Sequence, residues 1–145
     1  MVKKSALLVA LAGFVGFTAE VLAQHSFVGA AKCKICHKLQ YDSWLATPHA
    51  KATETAQSST QWKFESSCLS CHATNTDEKL AGVQCEACHG PGSDYKALSI
   101  MKDRQKAIAN GLIIPDQSTC DSCHDGKEHH KKVIFDRNVV HAHKD

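Results

Sequence analysis

The pattern Cys-x-x-Cys-His occurs four times in this chain, at Cys33/Cys36/His37, Cys68/Cys71/His72, Cys85/Cys88/His89 and Cys120/Cys123/His124. Together the four copies use all eight Cys of the 145 residues. The pattern is the attachment signature of c-type haem. Two thiols one helical turn apart can add to the two vinyl groups of one porphyrin. The residue that follows then presents its imidazole to the iron. Paired Cys also build tetrathiolate zinc sites, disulfides and thioredoxin-like redox pairs. None of those chemistries needs a His after the second Cys, and His makes up only ten of the 145 residues. The reading is therefore four haem c groups, each with its iron. Cys33, Cys36, Cys68, Cys71, Cys85, Cys88, Cys120 and Cys123 attach them, and His37, His72, His89 and His124 are the proximal ligands.

That load dictates the architecture. A chain this short cannot build an apolar core and also wrap four separate cofactors. The expected fold is mostly α with extensive loops, the four covalent haems forming the core, and little or no sheet. The apo-chain is expected to be largely unfolded, because covalent attachment supplies the constraint that a small core cannot. The interval from Cys71 to Cys85 is less than half as long as the two flanking intervals, which makes the second and third haems neighbours.

Helices are expected over Lys38–Ala46 and over His49 to about Gln57, the latter entered through Thr47 as N-cap and Pro48 at the first position. A third is expected from Asp94 to Asn110, capped by Ser93 and ended at Asn110-Gly111. Val133–His143 reads as a final short helix or an extended piece.

Residues 1–23 read as a cleaved signal peptide. Lys3 and Lys4 are followed by an apolar run from Ser5 to Thr18, too short for a comfortable membrane span, and then by Val21-Leu22-Ala23. Residues 24–145 form a single domain, periplasmic or otherwise exported, with no stable membrane span after cleavage. The whole chain has a formal net charge of +2 and no basic run, which excludes an electrostatic nucleic-acid footprint.

Six His remain after the proximal four: His25, His49, His129, His130, His141 and His143. Such an excess points to haems with two His ligands, which favours low-potential electron transfer. His129 and His130 follow His124 too closely to reach the far face of its haem, although either could serve a neighbour. Met101 falls on the apolar face of an expected helix and reads as packing.

Two stretches carry a family resemblance. One runs from Phe27-Val28-Gly29 through the first motif, Tyr41 and Trp44 to Thr47-Pro48-His49-Ala50-Lys51-Ala52. The other is Gly82-Val83-Gln84-Cys85-Glu86-Ala87-Cys88-His89-Gly90-Pro91-Gly92-Ser93. Both resemble the cytochrome c554 family. The resemblance implies a mostly helical tetrahaem periplasmic electron carrier with stacked haem pairs. It implies His49 as a distal ligand, and His141 or His143 as another. The family's ligating His shortly after Gly-Pro-Gly is missing here, where Tyr95 follows. That leaves His25, His129 and His130 as available replacements, of which His25 and His130 are carried into the candidate ligand set.

The primary reading is thus an electron-transfer protein and not an enzyme, docking weakly with redox donor and acceptor proteins. The second reading is a haem oxidoreductase acting on a small nitrogen species at a five-coordinate haem. A third is a subunit of a conductive cytochrome filament, with His25, His141 or His143 lent across a subunit boundary. An oligomer is therefore an open possibility.

Overall fold

The computed structural model describes residues 25–143. The expected signal peptide lies outside the described residues.

Short helices joined by loops follow one another: α1 (Ala30–Cys33), α2 (Lys38–Leu45), α3 (Ala52–Gln57), α4 (Leu69–His72), α5 (Cys85–His89), α6 (Leu98–Met101), α7 (Arg104–Ala109) and α8 (Gln117–Asp121). Single 3₁₀ turns lie at Pro48–Lys51, Ser66–Cys68 and Glu78–Leu80. Among the described residues there is no strand, only isolated bridges from Ala73 to Ala81 and Gly82. No helix of the described residues is long and apolar enough to cross a membrane.

Local chemistry explains where the helices start. Pro48 occupies the first position of its 3₁₀ turn, where a missing N–H costs nothing. Thr47 does not cap that turn: its hydroxyl donates to Trp44 O at 2.7 Å. The Asp116 carboxylate accepts from the N–H groups of Ser118 and Thr119 and so opens α8. The helix expected over Asp94–Asn110 is broken. Ala97 is extended at ψ 135°, and Asp103 caps a fresh start by accepting from Lys106 N. Ser93 caps no helix, because its hydroxyl oxygen accepts from Ser26 N at 3.0 Å. Val133–His143 forms turns and irregular chain. It is held where Gln117 Nε2 donates to Val133 O and Ala142 N donates to Ser43 Oγ.

The apolar core is small. Among the described residues only Ala30, Trp44, Ala52, Leu69, Ala73, Tyr95 and Ala107 are buried hydrophobics, and four of these seven are Ala. A core of that size cannot offset the conformational entropy of a chain of this length.

Polar anchoring takes over at the segment Gly82–Gln84, just ahead of the third motif. Gly82 N donates to Thr53 Oγ1 at 2.7 Å, and Gly82 O accepts from Thr74 Oγ1 at 2.9 Å. Val83 N donates to His49 O, and Val83 O accepts from the Trp44 indole N–H, both at 2.8 Å. Gln84 N donates to Thr74 Oγ1, and Gln84 Oε1 accepts from Ala30 N. Thr53 and Thr74 are themselves buried, at 3% and 0% exposure. The loop before the third motif therefore ties together α1, α2, the His49 turn, α3 and the end of the second motif.

Candidate haem centres

Each Cys-x-x-Cys-His motif sits on a helical turn, at the end of α1, on α4, on α5 and at the end of α8. All eight Cys are free thiols. No three His, Cys, Asp or Glu side chains converge into a metal cage among the described residues, so the thiols do not assemble as tetrathiolate zinc sites would.

The motifs are brought together out of sequence order. With α1 packed on α5, Cys33 and Cys85 are close enough to perturb each other, the Cys33 thiol upward and the Cys85 thiol downward. Burial, and after it Cys120, push Cys88 up. Burial, with the Cys71 side chain adding to it, pushes Cys123 up to about 11. First therefore neighbours third, third neighbours fourth, and fourth neighbours second. A cavity of about 420 Å³ is lined by Cys71 and His72, by Cys88, and by Cys123 and His124, so the second and third motifs also border one space.

The proximal imidazoles are oriented by the backbone. His72 Nδ1 lies 3.1 Å from Ala52 O, His89 Nδ1 lies 3.1 Å from Ile113 O, and His124 Nδ1 lies 2.8 Å from Lys131 O. A carbonyl partner fixes the proton on Nδ1 and leaves Nε2 bare for a metal.

A second imidazole faces three of the four. Ring centres are 6.1 Å apart for His49 and His124, 6.4 Å for His72 and His129, and 6.2 Å for His89 and His141. Two imidazoles on opposite sides of one metal ion, each about 2 Å from it, have ring centres on the order of 6 Å apart. Burial, and then the neighbouring His124, hold His49 below the ordinary imidazole range. Burial does the same to His89, opposed by its bond to Ile113 O. Both are thus kept neutral, the state in which imidazole binds metal. These separations, tautomers and charge states fit haem c.

The remaining candidates are placed differently. His37 is exposed, and no imidazole faces it at such a separation among the described residues. His25 Nδ1 lies 2.7 Å from Asp94, in an open hollow also lined by Phe27 and Asp77. His130 Nδ1 lies 2.9 Å from Asp125, so it is His129 that faces His72. Trp62, itself half-exposed, stacks on His129 with ring centres 4.8 Å apart. His143 touches His141 and lies 2.7 Å from Arg137 O through Nε2.

Sequence reasoning considered His129 for a neighbouring haem but preferred His130, and it passed over Glu86. The carboxylate of Glu86 is buried among backbone N–H groups, although it sits between two attachment Cys. No sequence signal marked it, since a Glu inside a Cys-x-x-Cys turn is unremarkable. Nor did the sequence mark His129, since its contact with the Trp62 ring is readable only in three dimensions.

The chain is similar to known proteins of one family. A family profile described as "Cytochrome c554 and c-prime" matches residues 32–90. Cytochrome c-554 of Nitrosomonas europaea is 32% identical over 154 aligned residues, covering 81% of this chain. The chain spans 66% of that relative's length. The structure of reduced cytochrome c554 from Nitrosomonas europaea superposes with a TM-score of 0.57 at 26% identity, covering 74% of this chain and 69% of that one.

Proposed function

From the premise that this chain belongs to the cytochrome c554 family, we propose that it is a periplasmic electron carrier with four covalently bound c-type haems, most of them held between two His. The haem supplies one-electron chemistry at its iron. The chain's own residues hold and tune it. Each Cys pair staples one porphyrin, and His37, His72, His89 and His124 bind from the proximal side. Backbone carbonyls at Ala52, Ile113 and Lys131 fix three of those rings and raise their basicity. On the distal side His49 pairs with His124, His129 with His72, and His141 with His89. The three imidazole pairs at 6.1–6.4 Å carry this reading. No side chain performs acid–base chemistry in it. Donor and acceptor proteins dock through small surfaces near exposed haem edges.

A second reading attaches to the first motif. His37 is the proximal residue that no imidazole faces, so an iron bound there is the one open to a small nitrogen species. Tyr95, which stands where the family places a ligating His, is engaged elsewhere: its hydroxyl donates to Gly90 O at 2.7 Å.

The test is mass spectrometry and pyridine haemochrome quantitation of the protein matured with haem, followed by EPR of the ferric form. Four haems per chain with predominantly low-spin bis-His signals is the expected result. Fewer than four haems, or mostly high-spin iron, overturns the proposal. One high-spin component that moves on adding nitric oxide or cyanide selects the second reading for that haem.

A further inference from the structure

The largest fully buried side chain is acidic. Glu86 is 2% exposed and lies inside the third motif, between Cys85 and Cys88. Its oxygens accept only from backbone N–H groups: Val28 at 2.9 and 3.1 Å, Gly29 at 2.7 Å and Gly92 at 2.6 Å. Every partner donates and none accepts, as a carboxylate requires. No Lys, Arg or His pairs with Glu86 among the described residues, so backbone dipoles alone face its charge. Val28 and Gly29 lead directly into α1, which ends at Cys33, and α1 packs on α5. Glu86 therefore lies where the first and third attachment sites meet.

We infer that Glu86 is a positioning and charge-setting residue: its buried carboxylate staples the N-terminal segment onto α5 and lowers the reduction potentials of the haems attached by the first and third motifs. The inference rests on the haem attachment proposed above. Reduction of a haem takes one electron from the redox partner and removes one positive charge at the iron, with no proton drawn from Glu86. A fixed negative charge in a water-poor setting favours the more positive ferric state, and the effect fades with distance. Glu86 follows Cys85 directly in the chain and, through Val28 and Gly29, holds the segment that leads into α1 and Cys33, which places its charge beside these two motifs. Glu86 also borders the cavity lined by Cys71, His72, Cys123 and His124, but none of its hydrogen bonds reaches the second or fourth motif, so the effect falls most strongly on the first and third.

The experiment is a potentiometric titration of the haem-loaded protein, followed by absorbance and EPR. Haem stoichiometry is measured first on wild type, so that a failure of haem attachment is distinguished from a failure of this inference. Glu86→Gln preserves size and removes the charge. It is expected to raise one or two of the midpoint potentials and leave the others in place. Glu86→Asp keeps the charge, and Ser93→Ala loosens the same N-terminal segment at Ser26 without touching it; both should leave the potentials near wild type. Unchanged potentials in Glu86→Gln, or an equal shift of all four, overturns the inference. Should Glu86→Gln fail to mature, redox-induced infrared difference spectra of ¹³C-Glu-labelled wild type decide. A perturbed carboxylate stretch in the low-potential range supports the assignment, and a protonated carboxyl band or no labelled signal overturns it.

Discussion

Replacing Gly82 by Ala tests the segment on which five parts of the chain converge. At φ +77° a side chain is strained, costing about 1–2 kcal/mol. A Cβ there would also lie 2.5 Å from Ala50 O, 3.1 Å from Ala50 C and 3.2 Å from His49 O. These are backbone atoms, so the neighbour cannot swing away as a flexible side chain would. The turn carrying His49 has to shift, adding about 1–3 kcal/mol of overpacking. The expected total is about 2–5 kcal/mol. Gly126 supplies the control. Its φ is +80°, but a Cβ there meets only the Lys132 side chain at 3.5 Å. Gly126→Ala therefore carries the strain alone, about 1–2 kcal/mol, partly offset by a stiffer unfolded chain. Thermal melts of the two haem-loaded variants should differ by roughly 5–10 °C, at about 4 °C per kcal/mol. Ferric EPR should show one low-spin component altered in Gly82→Ala and none in Gly126→Ala. Equal melting points, or a Gly82→Ala spectrum identical to wild type, refutes the argument that this backbone contact positions His49.

Three other outcomes follow from the same structure. Thr74→Val, close to isosteric, strips Gly82 O and Gln84 N of their partner; two buried groups left unpaired cost about 2–4 kcal/mol, measurable by denaturant unfolding of the holoprotein. His129→Ala should convert one low-spin haem to high-spin, while His130→Ala, whose ring is bound to Asp125, should leave the EPR spectrum intact. The Ser118 hydroxyl, followed by the Thr119 and Ser118 N–H groups, holds the Asp116 carboxylate below its usual range. A lowered folded value means the cap is at full strength above the ordinary carboxylate range and weakens as pH falls towards the folded value. The stability gap between wild type and Asp116→Asn should therefore narrow on acidification, as read from melting points across the acid range.

The Cys-x-x-Cys-His motifs can be read from sequence alone because thioether chemistry demands a fixed local spacing, which no packing can alter. The helix over Lys38–Leu45 was legible for a similar local reason, with Pro48 closing the region. The break in the stretch from Asp94 to Asn110 was not read, although Asp103 stands in the sequence as a capping residue. Apolar periodicity across Leu98, Met101 and Ile108 continues through the break and hides it. Distal pairing is a different kind of information. His49, His129 and His141 reach motifs far from them along the chain, so only the closed structure shows which imidazole meets which. His129 and His130 are adjacent and chemically identical, and the decision between them falls to a single carboxylate, Asp125. The keystone role of Thr53 and Thr74 was also hidden, since each is an ordinary polar residue until its partner carbonyl is known.

The neighbour relations of the motifs bear on whether the protein can be divided. The first is placed beside the third, and the fourth beside the second. A cut between the second and third motifs thus parts the first from the third and the second from the fourth, and leaves only the third beside the fourth. The His facing His124 would also be left on the opposite fragment. Halving this chain does not give a smaller carrier, and shortening by loss of a terminal motif orphans a partner deep in the remaining sequence.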